Sequence, residues 1–306
     1  MNVREWALPV YTILMQLSVG TLLLLWLVRA LFMPKFEQSA KSRIVRVPLT
    51  IIFFTACVAM VGSHFHLSKP FRSFLAVLNF RTSWLSREII FTVLFFATLG
   101  CLVAIYWLSE DSRRLKSALG WLGGILGLLL VFCMSHIYLL PTQSAWNSRS
   151  TILSFYLTTL LLGSLALPAI LLIDFSFSDE LAMKRLDEPS LLIRNVLMLC
   201  TAAAGLAWLA LAVITYQQLQ MLRAGDSWAQ TSFELLTQLY LPLVIMRLAL
   251  PFLGITWLVI CMAKALGRNI TVKALTIPVY VSCICVLVGE ILGRFLFYAT
   301  HIRLGV

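Results

Sequence analysis

The feature that most constrains this chain is a series of eight apolar runs, each about as long as a lipid bilayer is thick. An α-helix needs about 20 consecutive apolar residues to cross the hydrocarbon core. Short segments with helix breakers or charges, such as Pro34 and Pro141, separate the runs. The sequence therefore predicts an all-α integral membrane protein, a single polytopic domain over residues 1–306 with about eight transmembrane helices. The predicted spans are residues 8–32, 48–66, 88–108, 117–139, 151–174, 193–216, 240–263 and 275–299.

Composition supports this prediction and argues against a soluble enzyme. The 306 residues are 60% hydrophobic and 12% charged, whereas about a quarter of the residues of a soluble domain are charged. The net charge of +11 comes from basic residues between the apolar runs. Such residues set topology and meet anionic lipid headgroups, so they predict contact with the bilayer and not with nucleic acid. The first apolar run is longer than the core of a secretory signal, so we expect it to be retained as a helix.

The cysteines give no sign of a metal or disulfide site. All 7 lie within apolar runs, and none forms a Cys-x-x-Cys pair. Small apolar residues packed in helices show this pattern, whereas zinc and iron–sulfur sites need clustered ligands at fixed spacing. We therefore expect no metal site and no iron–sulfur cluster in this chain.

The distribution of Lys and Arg predicts the orientation. Most of them lie in the odd-numbered loops, which the positive-inside rule places in the cytoplasm, so both termini are predicted on the periplasmic side. The segment 67–87 is an exception, because it is basic although it lies on the predicted outer side. A docked partner or an anionic ligand would explain it. The alternative is that these charges have no function and are tolerated, because the charges of the other loops determine the orientation.

Polar residues within the spans gather at the predicted outer end. They are Gln16, His64, His66, Glu88, His136, Arg247, Glu290 and Arg294. Charged groups in hydrocarbon are costly, so each one is a candidate functional residue. Glu290 and Arg294 are four residues apart and share a helix face. The set predicts a polar pocket beneath the outer surface. The alternatives are a self-contained Glu290–Arg294 ion pair and a helix-to-helix hydrogen bond from Gln16.

Two further functions remain open from the residues alone. The four histidines, His64, His66, His136 and His301, lie near one surface, and two of them could ligate a haem b in a quinol-oxidising subunit. Arg247 and Arg294 could serve as counter-ions in a secondary transporter of a small anion. Such transporters usually have internal repeats and a site at the middle of the membrane, and the sequence shows neither.

Several segments, in order along the whole chain, resemble a known family. They are Glu5-Trp6 with Gln16 and Gly20, His66-Leu67-Ser68-Lys69-Pro70 with Arg72, Ser83–Glu88, Tyr138–Pro141 with Trp146-Asn147, and Gly289–Arg294 with Phe297-Tyr298 and His301. Together they resemble the membrane anchor subunits of dimethyl sulfoxide reductase-type molybdoenzymes, the DmsC family. The sequence departs from the family pattern at Ser68, where the family has glycine.

The resemblance implies a membrane anchor subunit in the bacterial inner membrane, multi-pass and without haem or metal. It implies two partners on the outer face, a molybdopterin catalytic subunit and an iron–sulfur electron-transfer subunit. Menaquinol would be bound near that face and oxidised there, and the terminal substrate would be reduced by another subunit. His66 and Glu88 are the implied catalytic residues, because quinol oxidation releases protons that need bases with water access. The implied quinol-binding residues are Gln16, His66, Arg81, Glu88, Glu290 and Arg294.

Overall fold

A computed structural model describes residues 3–34, 36–64, 77–109, 112–177, 189–268 and 272–300, and no strand occurs in these ranges. Nine α-helices are found there, numbered in chain order. They are α1 (Val3–Phe32), α2 (Gln38–His64), α3 (Trp84–Leu108), α4 (Arg113–His136), α5 (Arg149–Phe177), α6 (Pro189–Ala224), α7 (Ser227–Glu234), α8 (Leu241–Arg268) and α9 (Thr276–Ala299). A π-helical turn, Leu235–Leu239, joins α7 to the segment before α8.

Eight of these helices, all except the short α7, are long and apolar enough to cross a membrane. This agrees with the number predicted from the apolar runs. The largest extensions beyond the predicted spans are in two helices: α2 begins at Gln38 instead of residue 48, and α6 continues to Ala224 instead of residue 216. Both extensions are polar. Hydropathy marks the part of a helix that suits lipid, whereas backbone hydrogen bonds and residues with good helix propensity decide where the helix ends.

The centre of the bundle is the pair α1 and α5. In these two helices 72% and 78% of the most apolar stretch is buried inside the protein, against 22% in α8. The two backbones approach each other at glycines. A Cβ atom added to Gly163 would overlap the backbone of Gly20, and one added to Gly20 would overlap the Thr159 carbonyl. Close packing of small residues is a common way to join helices in lipid, where apolar burial supplies little driving force.

A row of glycines in α4 packs against α1 in the same manner. Added Cβ atoms at Gly120 and Gly127 would overlap the Trp26 indole and the Val19 side chain. These glycines therefore allow a close contact between α4 and α1. By contrast, α6 and α8 expose large apolar side chains on their outer surfaces, as a lipid-facing surface requires. Examples are Leu206, Leu209, Ile245 and Leu253.

Candidate functional site

Those of the predicted polar side chains that the structure describes lie at one end of the bundle, which we call the polar end. The first halves of α1 and α5 meet the last turns of α9 there, since Gln16 bonds to Phe155 and Arg294 bonds to Gln16. The chain therefore enters α1 and leaves α9 at the same end.

Arg294 is the best-connected charged group of the polar end. Its side chain is only 6% exposed. The guanidinium donates a hydrogen bond to Gln16 Oε1 and stacks on the Phe155 ring, with 4.0 Å from Cζ to the ring centroid. Gln16 is fully buried and donates through Nε2 to the Phe155 carbonyl at 2.7 Å. A buried cation is tolerated only when its N–H groups are satisfied, so Gln16 both joins α1 to α5 and stabilises Arg294.

Glu290 lies one turn before Arg294 on α9 and is also buried. Its Oε2 atom accepts a hydrogen bond from the Thr158 hydroxyl of α5 at 2.6 Å. Glu290 and Arg294 thus have separate hydrogen-bond partners on neighbouring helices, and they are not simply a self-contained pair. Their charges still act on each other.

A cavity of about 50 Å³ adjoins these two residues. Besides Glu290 and Arg294 it is lined by Arg247 of α8 and by polar side chains that include Thr158, Thr215 and Gln218. Gly293 makes room for Arg247, because an added Cβ would come within 2.6 Å of the Arg247 Nε atom. The glycine before Arg294 is thus explained by a second arginine packed against it.

Glu88 lies near the start of α3 and is 6% exposed. It interacts with the Tyr11 hydroxyl through a side-chain hydrogen bond, and the same hydroxyl is 2.8 Å from the Thr92 Oγ1 atom. Glu88 also acts electrostatically on Tyr138 and Tyr298. Its carboxylate is therefore coupled to the polar end without lining the cavity.

An aromatic cluster fills the space between Glu88 and Arg294. The hydroxyls of Tyr138 and Tyr298 share a short hydrogen bond of 2.5 Å. The Trp146 indole donates to the Phe297 carbonyl at 2.8 Å and stacks on the Phe297 ring with 5.1 Å between centroids. Burial raises the pKa of the Tyr138 hydroxyl well above its usual value, and the neighbouring Tyr298 adds to this effect. Tyr138 therefore keeps its proton at neutral pH and can only share it within this network.

The structure brings together three of the six predicted site residues. Gln16, Glu290 and Arg294 form one connected group, and Glu88 is linked to it through the tyrosines. Arg81 is exposed on the loop before α3, and its carbonyl accepts a hydrogen bond from Arg87. His66 lies outside the described residues, so its position relative to the group stays a prediction.

Of the other histidines, only His136 has a described side chain. His136 ends α4 and contacts the aromatic rings of Trp84 and Phe132, with its Nδ1 atom 2.8 Å from the Phe132 carbonyl. This is the environment of an interfacial side chain. The side chain of His64, like all of His301, lies outside the described residues. Within the described part of the chain, no group of three or more His, Cys, Asp or Glu side chains could hold a metal ion.

Two contributors to the polar end, Tyr11 and Thr158, were not predicted from the sequence. Tyr11 and Thr158 are ordinary residues of apolar helices, and only the packing of α1, α3, α5 and α9 shows their partners. Arg247 could be predicted as a candidate functional residue, since an arginine inside a span is costly. The sequence does not show which helix this arginine faces.

These features define a class of protein: a multi-pass helical membrane protein with a buried polar cluster at the end that holds both termini. Comparison with known proteins gives the family. The profile of the family described as DMSO reductase anchor subunit (DmsC) matches residues 1–300. The chain belongs to this family, and the resemblance drawn from the sequence segments is confirmed.

Curated relatives align along nearly their whole length. The protein is 30% identical to the anaerobic dimethyl sulfoxide reductase chain YnfH of Escherichia coli K12, over 99% of this sequence and 96% of the relative. It is 29% identical to the C chain of the anaerobic dimethyl sulfoxide reductase of Haemophilus influenzae, over 100% and 98% of the two sequences. Identity to the corresponding C chain of Escherichia coli K12 is 28%, over 99% and 96%.

Proposed function

We propose that this protein is the quinol-oxidising membrane anchor of a dimethyl sulfoxide reductase-type complex in the bacterial inner membrane. Its relatives are named as chains of anaerobic dimethyl sulfoxide reductases. The polar end faces the periplasm and meets an iron–sulfur electron-transfer subunit, which in turn serves a molybdopterin catalytic subunit. The observation that carries the quinol part is the connected group of Gln16, Glu290 and Arg294 under one end of an otherwise apolar bundle.

The group suits the chemistry of a quinol. Menaquinol gives up two protons and two electrons when it becomes menaquinone. Arg294 and Gln16 offer N–H donors for a ring oxygen, and the Glu290 and Glu88 carboxylates can accept a proton. His66, on the segment that precedes α3, is the second proposed base. The protons leave at the same surface at which the electrons pass to the nearest cluster.

The space at this site limits where the ring can lie. The cavity of about 50 Å³ has room for only a few water molecules, whereas pockets for small organic ligands usually measure about 300–1,000 Å³. We therefore place the ring at the margin of the cavity, in a site completed by His66 and by the docked iron–sulfur subunit. The segment 67–87 is basic, and we propose that it contacts an acidic surface of that subunit.

The rival function, transport of a small anion, draws on Arg247 and Arg294, which line the same cavity. The Glu290 carboxylate lines it as well and offsets the charge of one arginine. The mixed lining offers both donors and acceptors, which suits a neutral ligand with hydroxyl groups.

The test is Glu88→Gln in the assembled complex. Loss of a proton acceptor should slow menaquinol-driven turnover by about 100-fold, the lower range for general base catalysis. Turnover driven by a reduced viologen dye, which delivers electrons directly to the partner subunits, should not change. Glu234→Gln is the matched control, because Glu234 is an exposed carboxylate at the end of α7. Equal menaquinol turnover in the two variants would remove Glu88 from the mechanism.

His66→Ala makes the second test. We expect the same selective loss of menaquinol-driven turnover, with normal assembly of the three subunits in the membrane. Full turnover in this variant would exclude His66 as a base, and loss of assembly would show that its role is in docking.

A further inference from the structure

A second cavity, which we call the basic cavity, lies at the end of the bundle opposite the polar end. It has a volume of about 500 Å³ and is formed where α1 ends and where α2 and α4 begin. Its lining residues are Arg29, Ala30, Pro34, Lys41, Arg113, Arg114, Ser117 and Trp121. It is ten times larger than the cavity beside Glu290, and neither the family nor the proposed quinol chemistry assigns it a function.

Four of these lining residues are cations, and none of the lining residues in the described part of the chain is acidic. Lys41 is only 6% exposed, and the charges that act on it are those of Arg113 and Arg29. Like charges brought together in a half-buried site repel each other, at a cost that rises as water is excluded. An anion in the cavity would remove that cost.

The hydrogen bonds described for these cations go to neutral oxygens. Lys41 Nζ donates to the Pro34 carbonyl at 2.9 Å, and Arg29 donates to the Ser117 hydroxyl at 3.3 Å. The Arg29 Nε atom is buried without a hydrogen-bond partner, and the Arg29 guanidinium also acts on the Tyr106 hydroxyl. Several cations around one space, with no acidic residue among its described lining, suit a phosphate group, since phosphate oxygens accept several N–H bonds at once.

The positive-inside rule alone does not account for this arrangement. Residues that only set topology lie in solvated loops, whereas Arg29 and Lys41 belong to helices and Lys41 is nearly inaccessible. Trp121 lines the cavity and is 43% exposed, and Leu31, which follows the lining residue Ala30 on α1, is 53% exposed. An aromatic ring at the membrane interface beside basic residues is typical of a lipid-contact surface.

We propose that the basic cavity binds the phosphate group of an anionic phospholipid, with the acyl chains against Leu31 and Trp121. Basic pockets between transmembrane helices are a known way to hold such headgroups. The proposal is independent of quinol oxidation, because it concerns the opposite end of the bundle.

The test uses the purified full-length chain, stripped of lipid in detergent. Phosphatidylglycerol, phosphatidylethanolamine and inorganic phosphate are each titrated and followed by native mass spectrometry and by the thermal unfolding midpoint. The variant is Arg113→Gln with Arg114→Gln, both exposed and therefore compatible with folding. The control is Arg149→Gln with Arg223→Gln, which removes the same charge from exposed sites at the polar end.

We expect phosphatidylglycerol to bind more tightly than phosphatidylethanolamine, and to lose about tenfold in affinity in the first double variant but not in the control. If inorganic phosphate stabilises the protein as much as phosphatidylglycerol does, and loses the same affinity in the first double variant, the ligand is a free phosphate ion and not a lipid. If each of the three ligands binds the two double variants with equal affinity, the proposal is overturned. That result would leave the quinol site untouched.

Discussion

Gln16 shows at the residue scale how one amide can satisfy a buried charge and join two helices. Its Oε1 atom accepts from Arg294, and its Nε2 atom donates to the Phe155 carbonyl. Gln16→Leu keeps the volume but leaves the guanidinium without this acceptor. We expect a loss of about 1–3 kcal/mol, the usual cost of an unsatisfied buried donor. The measurement is thermal unfolding of the purified chain in detergent, followed by tryptophan fluorescence.

Thr21→Val is the control for that substitution. The Thr21 hydroxyl is also fully buried on α1, but it bonds to the Leu17 carbonyl of its own helix. Its loss breaks no contact between helices, so the unfolding temperature should fall much less. Similar decreases for the two variants would mean that Gln16 contributes only local helix stability.

At the scale of helices, the crossing of α1 and α5 depends on the absence of two side chains. A Cβ at Gly163 would overlap the backbone of Gly20, and backbone atoms cannot move aside as a flexible side chain can. Gly163→Ala should therefore separate the two central helices and lower the yield of folded protein in the membrane. Gly205→Ala on α6 is the matched control, because nothing lies within 4 Å of an added Cβ there. Equal yields would show that this crossing tolerates a wider spacing.

The helices also show which parts of the structure a sequence can reveal. The bilayer fixes the length of each apolar run, so the number of spanning helices and the depth of Gln16, Glu290 and Arg294 could be predicted from a single chain. Contacts between helices could not. Nothing local to Thr158 indicates that it donates to Glu290, a residue 132 positions further along. In the sequence, the segments around Tyr138 and Phe297 stand out only by their family resemblance. The structure shows that the Tyr138 and Phe297 rings pack against each other, which explains why both segments carry aromatic residues.

For the whole molecule, the orientation in the membrane is the central prediction. With the polar end in the periplasm, Ser227→Cys should react with a membrane-impermeant maleimide in intact cells. Ser39→Cys, at the opposite end, should react only after lysis. Both serines are exposed in the structure. Each is tested in a background without the seven native cysteines, all of which are free thiols. Labelling in the reverse pattern would place the termini in the cytoplasm.

Beyond the polar end, α1 packs through fully buried apolar side chains. Leu22, Leu25 and Val28 have no exposed surface and pack against the neighbouring helices. Close-packed apolar side chains leave no room for a chain of water molecules. Protons released on one side therefore have no path through this part of the bundle. If quinol is oxidised at the polar end, its protons and electrons leave on the same side, and turnover by this subunit contributes no net charge movement to the membrane potential. A cell could then hold many copies of this subunit without lowering its membrane potential.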